Sequence, residues 1–136
     1  MARPKLTPQI ALNLAWRLYE ATGERDERLE NMIAQDREVA YEFVADVLDF
    51  PEGSQWAYWY AKNVLKAPWP EAESIIEASP RWAYEYAFRV LNGPFLKAEP
   101  EIAESSKWAY AYARDVLETD EDHARFKEIL GRAARY

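Results

Sequence analysis

The segment Trp56-Ala57-Tyr58-Trp59-Tyr60-Ala61-Lys62-Asn63-Val64-Leu65 returns as Trp82-Ala83-Tyr84-Glu85-Tyr86-Ala87-Phe88-Arg89-Val90-Leu91. It returns again as Trp108-Ala109-Tyr110-Ala111-Tyr112-Ala113-Arg114-Asp115-Val116-Leu117. The leading tryptophans are 26 residues apart each time. A fixed period of this size marks a repeat architecture. On a helical wheel started at Trp56, the residues Tyr60, Val64, Ala57, Ala61, Leu65 and Tyr58 share one face about 200° wide. That is broader than the stripe of a helix covered from one side, so the element is expected between neighbours. Alanines along its midline let a second helix come close. The aromatic shoulders reach toward the repeats before and after.

Two degenerate copies lie upstream, Val39–Leu48 with Val in the Trp place, and Ile10–Tyr19. Terminal repeats diverge because one of their faces meets water. Thr7, Asp36, Ser79 and Ser105 stand where N-caps belong, with Gly53-Ser54 in the same place before the third copy and Pro8 and Pro80 at the first helical position. Gly93 is expected to take a left-handed cap before Pro94. A short second helix is expected at Leu29–Ala34, Ala72–Ala78 and Ala98–Glu104, its Ile33, Ile76 or Ile102 filling the gap between long helices. Pro100 puts the start of the last of these near Glu99. Phe50-Pro51-Glu52 leaves room only for a tight turn. A final helix capped by Asp120 or Asp122 carries Phe126, Ile129, Leu130 and Ala133 on its apolar face. The pattern predicts an all-α, helical-repeat solenoid of alternating long and short helices. It is expected as a single domain over 1–136, with degenerate repeats at 5–52, regular repeats at 54–117 and a capping helix at 120–136.

The totals narrow the function. The chain has 136 residues and no cysteine, which excludes disulfides and thiolate metal sites and suits a reducing, cytoplasmic setting. Its net charge of −7 repels a nucleic-acid backbone or an anionic membrane on average and attracts a basic protein. Asn13 and Arg17 break the apolar run behind the basic start Met1-Ala2-Arg3-Pro4-Lys5, against a signal peptide or membrane span.

No catalytic constellation emerges. His123, the single histidine, sits in an acidic run, Asp120-Glu121-Asp122, that reads as a helix-start cluster rather than a metal site. Glu30, Glu73 and Glu99 recur beside the short helix. A catalytic pair is needed once, whereas a structural device is needed in every unit, so they read as acceptors for buried Tyr or Trp groups, or as caps. Nothing resembles a phosphate-binding glycine loop, and no cofactor or metal is expected. The regular aromatics read as a core ladder. Trp59 and Phe88 fall on the predicted polar arc, where an aromatic signals a contact site. With the acidic residues Glu85, Asp115 and Glu118 they are the candidate partner-binding residues.

The motif Trp-Ala-Tyr-x-Tyr-Ala-x-x-Val-Leu, followed by a proline with a bulky aromatic, then Ala-Glu-x-x-Ile and Ser-Pro-x-Trp, resembles the short helical repeats of tailed-phage proteins. The resemblance covers 54–117 strongly and 5–50 weakly. Those repeats usually carry a basic residue and Gly in the turn occupied here by Lys66-Ala67 and Asn92-Gly93. The resemblance implies a phage or prophage origin and an interaction role, with no activity to carry over. The expected function is a non-enzymatic protein-binding module, a small acidic factor that occupies and modulates a basic host protein in the host cytoplasm. A structural or assembly role, as a virion component or homo-oligomer, is the alternative. An enzyme on a helical scaffold, such as a glycosidase, comes third and needs carboxylates converging in a cleft.

Overall fold

The computed structural model describes residues 5–133, so the basic start Met1–Pro4 and the tail residues Arg135 and Tyr136 lie outside the described residues. Among the described residues nine α-helices follow in order: α1 (Pro8–Thr22), α2 (Glu27–Ile33), α3 (Arg37–Glu42), α4 (Glu52–Tyr60), α5 (Glu73–Ile76), α6 (Pro80–Tyr86), α7 (Glu99–Ala103), α8 (Ser106–Asp115) and α9 (Asp120–Ala133). The fold is all-α, and among the described residues there is no strand. None of these helices is long and apolar enough to cross a membrane. The chain divides into two compact units, Met1–Gly53 and Ser54–Tyr136.

Local chemistry sets the helix starts. The Thr7 hydroxyl accepts the Ile10 amide at 3.2 Å, and Asp36 Oδ1 accepts the amides of Glu38 and Val39 at 2.9 and 3.1 Å. Ser79 caps α6 through the Trp82 amide at 3.4 Å, whereas Ser105 at the head of α8 makes no side-chain cap bond. Two expected caps are displaced. Helix α4 already begins at Glu52, which places Ser54 inside it, and the Ser54 hydroxyl donates instead to the Ile75 carbonyl at 2.7 Å. Thr119 caps α9, accepting the Asp122 amide at 3.0 Å, in place of Asp120 or Asp122.

Helices α3, α4 and α6 each run into a widened π turn, Phe43–Val47, Ala61–Leu65 and Ala87–Leu91. After the last two, Lys66 (φ 53°) and Asn92 (φ 54°) take the left-handed conformation. Gly93 is therefore not the left-handed residue. It stands one place later, and its amide donates to the Ala87 carbonyl at 3.2 Å, as the Ala67 amide does to Ala61. Val64, expected in the core, surfaces from its π turn, whose residues leave the 3.6-residue spacing. Val116, after the all-α helix α8, is buried; Val47 is buried too although its turn is π, so spacing alone does not decide the outcome.

In the first unit α1 packs on α2 and on the π turn behind α3. Leu12, Ile33 and Phe43 are its largest fully buried side chains. In the second unit the expected short helix is a single 3₁₀ turn leading into α5 or α7: Pro70–Ala72 before Glu73, and Leu96–Ala98 before Glu99. Pro100 sits in the first turn of α7, and Ile76 and Ile102 are fully buried.

Two contacts recur with nearly constant geometry. The Tyr58 ring lies 5.5 Å from Trp82 at 32°, and Tyr84 lies 5.6 Å from Trp108 at 31°. Tyr60, Tyr86 and Tyr112 tilt against Trp69, Phe95 and Phe126 at 4.5, 5.2 and 5.0 Å. Phe126 of α9 thus fills the place that the connector aromatics fill earlier. Trp82 and Trp108 are half-buried, each with a cation over its ring, Arg81 at 4.4 Å and Lys107 at 4.9 Å. Tyr110, expected in the ladder, is 68% exposed, because α9, the helix that follows α8, carries no tryptophan to lie against it.

Candidate functional site

The carboxylates singled out by repetition are tied into the scaffold. Tyr86 donates to Glu73 Oε2 at 2.7 Å and accepts the Trp69 amide at 2.9 Å. Tyr112 repeats this with Glu99 Oε2 at 2.5 Å and the Phe95 amide at 3.0 Å. Burial first, and then the carboxylate acceptor, pushes both phenols well above the ordinary tyrosine range. Glu99 is 0% exposed and also holds Arg125, with Nε at 3.0 Å and Nη2 at 2.8 Å, so its buried charge is compensated. Glu30 takes Arg25 through two bonds of 2.8 Å. His123 is exposed, and among the described residues no group of three or more His, Asp or Glu is placed to hold a metal ion.

Of the expected contact residues, Glu85 and Phe88 lie on α6 and its π turn, Asp115 at the end of α8 and Glu118 just beyond it; α6 and α8 pack side by side. Phe88, 37% exposed, stacks on Tyr84 at 5.9 Å with the rings 5° from parallel. The Tyr84 hydroxyl donates to Asp115 across to α8. Arg114 grips the same carboxylate through Nε at 2.8 Å and Nη2 at 2.7 Å. These bonds, the guanidinium first and the phenol second, hold Asp115 down to about 2. Burial, followed by that acceptor, pushes Tyr84 up to about 12. Glu85 binds Arg89 at 2.7 Å, and the Arg89 guanidinium stands 5.4 Å over the Phe88 ring.

Phe88, Asp115 and Glu118 come together, with Asn92, Gly93 and Val116, around a shallow depression of about 120 Å³. Glu85 lies beside it through Arg89. Trp59 does not join it: the ring is half-buried in α4, 5.4 Å from Trp56. Asn92, Gly93 and Val116 went unnoticed as lining because their evident jobs, turn and core, accounted for them. Chemically the depression offers one aromatic edge, a carboxamide and two carboxylates. A general acid needs a raised carboxyl, and Asp115 is held the other way. The arrangement suits a cationic side chain, with the exposed Glu118 at its rim.

The class these features define is a small acidic all-α protein with internally recurring aromatic contacts and a charged surface notch. No family model, no curated protein and no solved structure matches the chain.

Proposed function

We propose that the chain is a non-enzymatic protein-binding module whose long helices stack as a short solenoid. The notch at Phe88, Asp115 and Glu118 takes a lysine or arginine of a basic partner. The single observation that carries this reading is the meeting of an exposed aromatic with two carboxylates in one depression, on a chain of net charge −7. Asp115 stays ionised through the physiological range but is paired with Arg114, so the exposed Glu118 is the carboxylate of the notch that meets an incoming cation. Arg89 and Arg114 at its edge restrict it to a partner that brings its cation past them. On the phage resemblance the partner is a host protein met in the cytoplasm.

Affinity capture with mass spectrometry, run with the native chain and a Phe88→Ala/Glu118→Lys variant, tests this. A basic protein is expected with the native chain. It should be lost with the variant and released at roughly 1 M salt, where the Debye length falls to about 3 Å. Identical recovery by both chains, or retention through high salt, overturns the reading.

A further inference from the structure

The Tyr–Trp contact of the second unit ends unfinished. Tyr58 and Tyr84 are buried, each beneath the indole that opens the next long helix. Tyr110 occupies the same register, yet among the described residues no indole lies against it, and only the Arg114 guanidinium stands over its ring, at 5.5 Å. The missing piece is an apolar side chain in the leading position of a long helix.

The chain has five such positions, and their burial singles one out. Trp56 and Val39 are buried, and Trp82 and Trp108 already rest on Tyr58 and Tyr84. The fifth is Ile10. In α1, Ala11, Leu12 and Ala15 are buried as their counterparts Ala57, Tyr58 and Ala61 are. Ile10 and Leu14, the counterparts of the buried Trp56 and Tyr60, are instead 40% and 45% exposed. They stand four residues apart, on one helix face. A terminal repeat that ends an array carries a polar outer face. Here α1 and α8 each keep exposed apolar residues at positions that join repeats inside the second unit.

We propose that the chain self-associates head to tail, Tyr110 of one copy packing on the Ile10–Leu14 face of α1 in a second copy. The contact continues the packing already made twice inside the second unit. The register supplies a polar partner as well. The Tyr84 hydroxyl is met by Asp115, seven residues after Trp108; seven residues after Ile10 stands Arg17, an exposed donor that the Tyr110 hydroxyl can accept. Because the two surfaces differ, the contact is heterologous and can extend beyond a dimer. It is small, which places it among weak, concentration-dependent interfaces. It uses none of the residues lining the notch, so it stands or falls apart from the proposed partner site.

Sedimentation velocity on the full chain, from about 10 µM to about 1 mM, tests it. The native chain should sediment faster as concentration rises. Ile10→Glu and Tyr110→Glu should each weaken association by ~tenfold or more, with unchanged circular dichroism, since a charge then opposes the apolar face. A one-to-one mixture of the two variants should form a dimer and stop there, because each retains one intact face. Ile10→Gln and Tyr110→Gln serve if a glutamate perturbs its helix. Glu118→Lys should associate as the native chain does. A native chain that stays monomeric overturns the proposal, as does assembly unaffected by both substitutions. A mixture that stays monomeric while the native chain assembles also overturns it.

Discussion

Tyr112 is held as much by its hydroxyl as by its ring. The phenol serves the fully buried Glu99 and the Phe95 amide together. Tyr112→Phe keeps the ring but leaves the Phe95 amide without its acceptor and Glu99 with Arg125 alone, so it should cost about 1–3 kcal/mol in urea unfolding. Tyr110→Phe, at the surface, should stay within about 0.5 kcal/mol. The raised phenols of Tyr86 and Tyr112 carry a pH signature. An unfolded tyrosine titrates near about 10, so their stabilisation is complete below that pH and fades as pH climbs toward the higher folded values. Tyrosinate absorbance should show Tyr86 and Tyr112 ionising only as the chain unfolds. Asp115 has the opposite sign. Its carboxyl, held to about 2, contributes stability above the unfolded value of about 4 and loses it as pH falls through that interval. Asp115→Asn should remove that part of the acid transition. The acceptor role of Glu73 and Glu99 was legible because it repeats in step with a tyrosine. Arg125, which completes the Glu99 site, was not, because it arrives on a different helix with no counterpart in the repeat.

Helix boundaries depend on single backbone groups. Asp36 satisfies two orphan amides and Ser105 none by its side chain. Asp36→Ala should therefore cost about 1–2 kcal/mol, and Ser105→Ala less than about 0.5, by urea unfolding. Lys66 holds a left-handed conformation that a β-carbon opposes, so Lys66→Gly should raise stability by about 0.5–1 kcal/mol. Asn92→Gly should give less, since asparagine tolerates that region. The elements themselves were plain from the 26-residue spacing and the apolar wheel. Their ends were harder to read. Ser54 looks like a cap in register, but α4 starts two residues before it and its hydroxyl is drawn to the Ile75 carbonyl instead. Gly93 looks like the obvious left-handed residue, but the π turn takes up an extra residue and the reversal falls on Asn92. Neither competition is visible in local composition.

Across the molecule, α9 closes the second unit by imitation. Phe126 meets Tyr112 as Phe95 meets Tyr86, although it comes from a helix rather than a connector. Phe126→Ala should cost about 3–5 kcal/mol, measured as a lowered urea midpoint. Of the candidate contact residues, Phe88, Asp115 and Glu118 converge on the notch while Trp59 lies elsewhere, since a wheel gives the face of one helix and not the pairing of two. One property of the polar ties in the second unit reaches beyond the native state. They join residues 13 (Tyr86–Glu73), 17 (Tyr86–Trp69), 21 (Ser54–Ile75), 26 (Arg125–Glu99) and 31 (Tyr84–Asp115) positions apart. Loops this short close at little entropic cost, and chains rich in near-neighbour links cross their transition states on the order of microseconds to milliseconds. Refolding after dilution from denaturant should therefore be complete within the dead time of ordinary mixing.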